Sequence, residues 1–360
     1  MPPESAAGVV RWRSPGRVNL VGDHTDHQDG FCLPMAIDRE CRVEFVPDGT
    51  AILRARSGDL PGEVRVDADG RVTGPDWGRF VAAAAEVVAA GVDRGAVPGG
   101  TLTVASTVPA GAGLSSSAAL SVALVGALTE AAGRSLVTAD LAAAARATEI
   151  AATGVPCGIL DQTAVTAGAA GHALLLDCRS LAVTPITVPD HLAIVVVHSG
   201  RTRRLADGGY AERVAACRAA ATRLGLRSLR DAAPADVADD PAARHVVSEN
   251  ARVLAAAEAL RAGDGAALGA LMSASHASLR DDFGVSSPEL DATVERLVAA
   301  GAFGARLTGA GFGGCVVGVA PSDRADAVVA HAVRSAAAAT GTAPLAFVVG
   351  PAEPAGPMVG

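Results

Sequence analysis

From Pro109 the chain reads PAGAGLSSSAAL, and an apolar stretch then runs on to about Gly133. This junction constrains the fold more than any other feature. Gly111 and Gly113 permit tight backbone geometry, and a long helix then starts at Ser115–Ser117. A helix N-terminus exposes free N–H groups at the positive end of its dipole, which suits polyphosphate. The serine hydroxyls of Ser115, Ser116 and Ser117 can cap the helix or ligate Mg²⁺. An ordinary loop with a serine N-cap is the plain alternative, and one serine would suffice for it.

Around this segment short strands and helices interleave. Residues 31–46, 51–66, 102–108, 174–177 and 192–197 read as strands. Helices are predicted at 82–90, 139–153 with Thr138 as cap and Gly154 as stop, from about 158, and at 208–224, 244–262, 265–280 and 288–300. The end reads strand, helix, strand over 315–319, 323–340 and 345–349. Interleaving without strict alternation predicts an α+β fold rather than a doubly wound sheet. A composition shift around Pro185 and Pro189 places the expected boundary between domains 1–185 and 186–360.

Composition narrows the chemistry. All thirty basic residues are arginine, and none is lysine. P-loop NTPases, protein kinases, Schiff-base aldolases and pyridoxal enzymes each need a lysine, so none of these mechanisms is open to this chain. A phosphate-handling version of it must use arginine, backbone N–H groups and a metal. The net charge of −8 argues against a broad nucleic-acid face, and no apolar run reaches membrane-spanning length. The six cysteines form no C-x-x-C pair and read as reduced thiols of a cytoplasmic protein. The first fifteen residues lack the apolar core of a secretory signal.

Three further segments carry chemistry. Residues 17–30, RVNLVGDHTDHQDG, hold Arg17, Asp23, His24, Asp26, His27 and Asp29 directly after an apolar stretch. The acids and histidines could hold a metal, or the carboxylates could accept several sugar hydroxyls. In 148–162, Glu149 sits near a helix C-terminus, where the dipole disfavours it, and a Mg²⁺ would explain that placement. Asp161 falls in the first turn of the next helix, ionised and able to orient or deprotonate an attacking hydroxyl. Finally, LTGAGFGG at 307–314 matches G-x-G-x-x-G, but a strand follows it instead of a helix. Dinucleotide binding is therefore rejected, and a glycine-rich loop packing near a ligand remains. The arginines Arg201, Arg203 and Arg204 read as a solvated loop rather than as a nucleotide contact.

Together, GRVNLVGDHTDHQDG, PAGAGLSSSAAL, GVPCGILDQ at 154–162, SLRDDFGVSSPELD at 278–291 and LTGAGFGGC resemble the GHMP kinases, and within them the galactokinase branch. The resemblance implies two α+β domains, a ribosomal-S5-like one and a ferredoxin-like one, with the active site between them. It implies ATP-dependent phosphorylation of a sugar's anomeric hydroxyl, with Mg²⁺. Asp161 then matches the catalytic aspartate and Arg17 the arginine paired with it. Asp23, His24 and Asp26 match the sugar triplet, and Gly158 and Tyr210 also match sugar contacts. Ser117 and Glu149 match Mg²⁺ ligands, Gly111 to Ser117 the phosphate loop, and Trp77 an adenine-stacking tryptophan. That branch usually carries Glu at the place of Asp23 and Tyr-Asn at the place of His27-Gln28. A related sugar-1-kinase for arabinose, a uronic acid or an amino sugar is therefore the alternative. A non-catalytic sugar and ATP sensor is the weaker one, because the residues matching the catalytic set are present.

Overall fold

The computed structural model describes residues 8–91, 97–202 and 209–358. Its first element is one that the hydropathy pattern does not announce. Arg11, Arg13, Pro15, Gly16 and Arg17 break the alternation, yet Val10–Asn19 forms a strand, β1. A bulge between Pro15 and Gly16 absorbs the irregularity. Gly16 is needed there because the Leu114 carbonyl lies 2.8 Å from where a Cβ would stand.

The chain continues through β2 (Phe31–Cys32), β3 (Pro34–Pro47), β4 (Leu53–Ser57), β5 (Glu63–Val66) and β6 (Val72–Thr73). Helix α1 (Gly78–Ala90), β7 (Gly100–Ser106), α2 (Ser116–Ala131), α3 (Thr138–Thr153) and α4 (Leu160–Thr166) follow. Then come β8 (His172–Asp177), β9 (Ala182–Thr187), β10 (Leu192–His198) and α5 (Gly209–Arg223). The last part holds α6 (Pro241–Arg261), α7 (Gly265–Asp281), α8 (Pro288–Ala299), β11 (Gly304–Leu307), β12 (Cys315–Pro321), α9 (Ala325–Thr340), β13 (Ala346–Val349) and β14 (Gly356–Pro357).

Three sheets result among the described residues. The first has the order β14-β1-β3-β7-β4-β5-β6, the second β11-β12-β10-β13, and a small third β2-β8-β9. Every pairing is antiparallel except β4 with β7. The fold is thus α+β with two principal sheets, as expected. Helix α2 lies against β1 and β3, and from Ala118 to Thr129 every residue is buried. A helix that is apolar all round needs cover on every side, and here Gly126 presses on the Trp12 ring.

Alternation along β10 ties the halves together. Ile194 and Val196 join the core under the first sheet, while Val195 and Val197 join the core of the second half. Position 185/186 falls inside β9, and the chain crosses to the second sheet between Thr187 and Leu192. The C-terminal segment then returns to the first sheet through β14, which pairs with β1.

Two local expectations need correction. Thr138 does not cap α3; Val137 occupies that position without a side-chain bond, and Thr138 is already helical. Helix α6 starts at Pro241 rather than 244, because Asp240 accepts from the Ala243 N–H and proline suits the first helical position. Gly154 does end α3 in the left-handed region, at φ 71°. Among the described residues no helix is long and apolar enough to cross a membrane.

Candidate active site

The loop between β7 and α2 is shaped by its backbone. Gly111 and Gly113 have φ of 68° and 80°, values that side chains other than glycine resist. The Gly113 carbonyl accepts from Arg17 NH1 at 2.7 Å, and the Leu114 carbonyl accepts from the Arg17 N–H at 3.1 Å. From the other half, the Cys315 N–H donates to the Ala112 carbonyl at 2.9 Å. The glycine-rich stretch 309–314 thus buttresses this loop.

Ser115 precedes α2 in the left-handed region, at φ 61° and ψ 41°. For a non-glycine residue that conformation costs roughly 1–2 kcal/mol. Its hydroxyl does not cap the helix but donates to Asp161 Oδ2 at 2.5 Å. The first-turn N–H groups of α2 are therefore left without a side-chain cap, beside a cavity of about 200 Å³ lined by Gly111, Gly113 and Ser115 to Ser117.

Asp161 sits in the first turn of α4, as its sequence position indicates. Its Oδ1 accepts from Arg17, with Nε at 2.9 Å and NH2 at 2.6 Å. Arg17 is almost fully buried, while Asp161 keeps a face open to the cavity. Next to it, Glu149 accepts from Ser117 Oγ at 2.6 Å and from Gln162 Nε2 at 2.7 Å. Burial pushes the Glu149 carboxyl above its usual range, the Ser117 bond opposes this, and the charge of Asp161 adds to the rise.

The polar loop after β1 lines the same cavity. Asp26 is wedged against Gly158, where any Cβ would overlap its Oδ2. Burial first, and then the charge of Asp161, raise the Asp26 carboxyl to about 6. His24 lines it too, at φ 66°. Its ring lies 4.6 Å from Phe283 and 5.6 Å from Tyr210, centroid to centroid. Neither ring nitrogen has a hydrogen-bond partner among the described residues. Burial, aided by His27, holds His24 neutral by lowering it well below the ordinary value. Burial, then the charge of Asp26, raises Tyr210.

The metal-cluster reading of this loop does not fit. Asp23 is committed to Arg306, with NH2 2.5 Å from its Oδ2, and His24 packs among aromatic rings. Among the described residues no three His, Cys, Asp or Glu side chains gather to hold a metal ion. A pair such as Ser117 and Glu149 does suit Mg²⁺, which keeps few protein ligands when phosphates supply the rest.

Comparison with known proteins now bears on this geometry. Three family models match: the galactokinase galactose-binding signature over 4–47, the GHMP kinases N terminal domain over 79–169 and GHMP kinases C terminal over 256–339. A galactokinase from Chloroflexus aurantiacus is 44% identical over 91% of this chain and 88% of its own length. One from Mycobacterium tuberculosis is 42% identical over 92% of this chain and 94% of its own. The chain belongs to the galactokinase family. Among solved structures, Lactococcus lactis galactokinase complexed with galactose superposes with a TM-score of 0.90 at 28% identity, covering 98% of this chain and 95% of that one. Methanococcus jannaschii mevalonate kinase shares the fold at a TM-score of 0.72 and 18% identity, over 98% of this chain and all of that one.

In this member of the galactokinase family, all the expected site residues but one border the first cavity: Arg17, Asp23, His24, Asp26, Gly111, Gly113, Ser115 to Ser117, Glu149, Gly158, Asp161 and Tyr210. The exception is Trp77. It lines a second cavity of about 420 Å³ with Leu60, Phe80 and Val104, and its Nε1 donates to the Pro61 carbonyl at 3.2 Å. Both cavities are bounded by Ser116 and Ser117, so both border the start of α2. Arg201 is exposed and pairs with Glu289 at 3.5 Å, while Arg203 and Arg204 lie outside the described residues.

The residues that motif reading misses stand behind the loop. Glu249 of α6 is fully buried, and it accepts from the Gly22 N–H at 2.9 Å, Ser275 Oγ at 2.5 Å and Arg252 Nε at 2.6 Å. Burial would raise Glu249, but His245, Arg306 and Arg252 outweigh it and hold the carboxyl at about 2. His245, which shows no sequence pattern, lies with Nε2 3.1 Å from the Asp23 carbonyl oxygen. Arg306 had one available signal: a lone charge in the apolar strand immediately before the glycine-rich loop.

Proposed function

We propose that the chain transfers the γ-phosphoryl group of ATP to the anomeric C1 hydroxyl of galactose. One observation carries the reading. Asp161 is clamped between Arg17 and Ser115, in a cavity lined both by an uncapped helix N-terminus and by Asp26, His24 and Tyr210. Support for the sugar comes from the galactokinase relatives and from the Lactococcus lactis structure complexed with galactose.

Phosphoryl transfer passes through a loose transition state with charge on the equatorial oxygens, so positioning and electrostatics dominate. Asp161 orients the C1 hydroxyl and accepts its proton, and Ser115 and Arg17 fix the carboxylate's direction. Arg17 also places a guanidinium beside the reacting phosphoryl. The free N–H groups at the start of α2 receive the phosphate oxygens, which removes any need for lysine. Ser117 and Glu149 would hold Mg²⁺, which when bound neutralises phosphate charge. Asp26, His24 and Tyr210 orient the sugar, with Gly158 leaving room for Asp26. Trp77 receives the adenine in the second cavity. Because Ser116 and Ser117 line both cavities, an adenine in the second would lie beside phosphates held at the start of α2.

The test is Mg·ATP turnover against a panel of free sugars, with the phosphorylated carbon located by NMR. Galactose turned over best, with phosphate on C1, is the expected result. Preference for arabinose, a uronic acid or an amino sugar would move the assignment to a related sugar-1-kinase. Tight galactose binding without turnover would make the chain a sensor.

A further inference from the structure

Arg306 is fully buried in β11, yet it is absent from the lining of the cavity. Burying a guanidinium is costly unless its charge and N–H groups find partners. Two of its contacts converge on the root of the sugar loop: NH2 on Asp23 Oδ2 at 2.5 Å, and NH1 donating to the Asn19 carbonyl at 3.0 Å. The Gly309 N–H donates to the same Asp23 Oδ2 at 3.3 Å. Oδ2 is thus spent inside the protein, and Oδ1 is the oxygen left to meet a ligand at the cavity wall.

The backbone on either side of this contact is also fixed. Thr308 Oγ1 accepts from the Asn19 N–H at 3.0 Å, and His245 holds the Asp23 carbonyl. With the main chain anchored, the remaining freedom of Asp23 is its side-chain torsions, and Arg306 removes it. A guanidinium does this better than an ammonium, because its rigid fork sets a direction as well as a charge.

We propose that Arg306 is a positioning residue for sugar recognition: it fixes the carboxylate of Asp23, so that selectivity at the one sugar hydroxyl facing Asp23 is set by a residue that never touches the sugar. The inference rests on the sugar-kinase reading above.

The experiment measures phosphorylation of galactose and its monodeoxy analogues by the whole chain. It compares the parent, Arg306→Lys, Asp23→Asn and the double variant Arg306→Gln/Asp23→Asn. Asp23→Asn identifies the relevant hydroxyl as the position where discrimination against the deoxy sugar is lost. Arg306→Lys should lose discrimination at that same hydroxyl, with the KM for galactose raised about tenfold to a hundredfold and the KM for ATP unmoved. The double variant, which leaves no unpaired buried charge, should lose no more discrimination than Asp23→Asn alone, because the two residues act as one. That comparison decides the matter by itself where Arg306→Lys does not fold. Equal losses against every deoxy sugar and against ATP would overturn the proposal, as would an additional, independent loss in the double variant. Failure of the parent to phosphorylate galactose would instead bring down the functional reading.

Discussion

The two loops that meet at Asp161 are held in opposite ways. The phosphate-side loop, 109–117, is placed mainly through main-chain contacts: Ala112, Gly113 and Leu114 offer their carbonyls to Cys315 and Arg17. The sugar-side loop, from Gly22 to Phe31, is placed by hydrogen bonds that each involve a side chain, to residues of the second half of the chain. Glu249 accepts from Gly22 N–H, Asn250 Oδ1 accepts from Phe31 N–H, the Leu229 N–H donates to Gln28 Oε1, and Arg230 donates to the Asp29 carbonyl. The lesson is a division of labour. Phosphate geometry is common to many substrates and can be written in glycines. Sugar geometry must discriminate among hydroxyls, so it is written in buried side chains that only the assembled fold supplies.

Asp161 is where the two sides meet, because it accepts from Ser115 of one loop and its charge acts on Asp26 of the other. Asp161→Asn keeps the shape and removes the base. We expect kcat to fall by about 10²–10⁴, the range of general-base contributions, while calorimetry still detects galactose binding. Turnover near the parent's would remove Asp161 from the catalytic role.

The same division explains what could be read before the structure. Gly111, Gly113, Ser115 to Ser117, Glu149 and Asp161 all lie in short motifs that sequence reading singles out, and they meet in one cavity. For Arg306 the sequence offers only a lone charge in an apolar strand, and for Glu249 and His245 it offers nothing. Each acts across the fold, and an Arg in Gly-Ala-Arg-Leu or a Glu in the middle of an amphipathic helix carries no local sign of its partner. Strand β1 was hidden for a related reason. Its irregular pattern comes from a bulge and from Arg17, which is committed to Asp161, so local alternation yields to tertiary demand. The helix of Ser116–Ala131 was legible in full, since its apolarity is continuous and its start is marked by glycine and serine.

Two alanine substitutions sharpen the contrast between the loops. At Gly158 a methyl group would overlap the Asp26 carboxylate, so Gly158→Ala must displace a sugar-side group. At Gly113 a methyl group would approach the Thr308 carbonyl to 3.0 Å, and the residue sits at φ 80°, so Gly113→Ala strains the phosphate-side backbone. Overpacking costs about 1–3 kcal/mol and the left-handed conformation a similar amount, so each variant should raise one KM by roughly tenfold. Gly158→Ala should move the KM for galactose and spare that for ATP, and Gly113→Ala should do the reverse. Steady-state kinetics with each substrate varied in turn reads this directly. If both variants raised both constants together, the loops would be one mechanical unit and the contrast would be lost.

The smallest expected effect is a pH dependence confined to the sugar side. Asp26 is raised to about 6 from an ordinary 3.8 by burial and by the charge of Asp161, with Asp23 adding to the rise. The Arg17 charge and a backbone bond at His27 oppose it. A carboxyl raised in the folded state binds its proton more tightly there than in the unfolded chain. Its contribution to stability is complete below 3.8 and is lost as pH rises through about 6. Asp26→Asn abolishes this titration. The Tm of the variant relative to the parent should therefore climb between pH 4 and pH 7 and then level off. Galactose binding by the parent should strengthen over the same interval, because ionisation makes Asp26 a pure acceptor for sugar hydroxyls, and in Asp26→Asn this change should vanish. Nucleotide binding should show no such step, since Asp26 packs against Gly158 and is assigned to the sugar rather than to the phosphates. A matching step in ATP affinity, abolished by the same substitution, would mean that the charge of Asp26 reaches the phosphate loop through Asp161. The two ways of building the site would then be coupled by a single carboxylate pair.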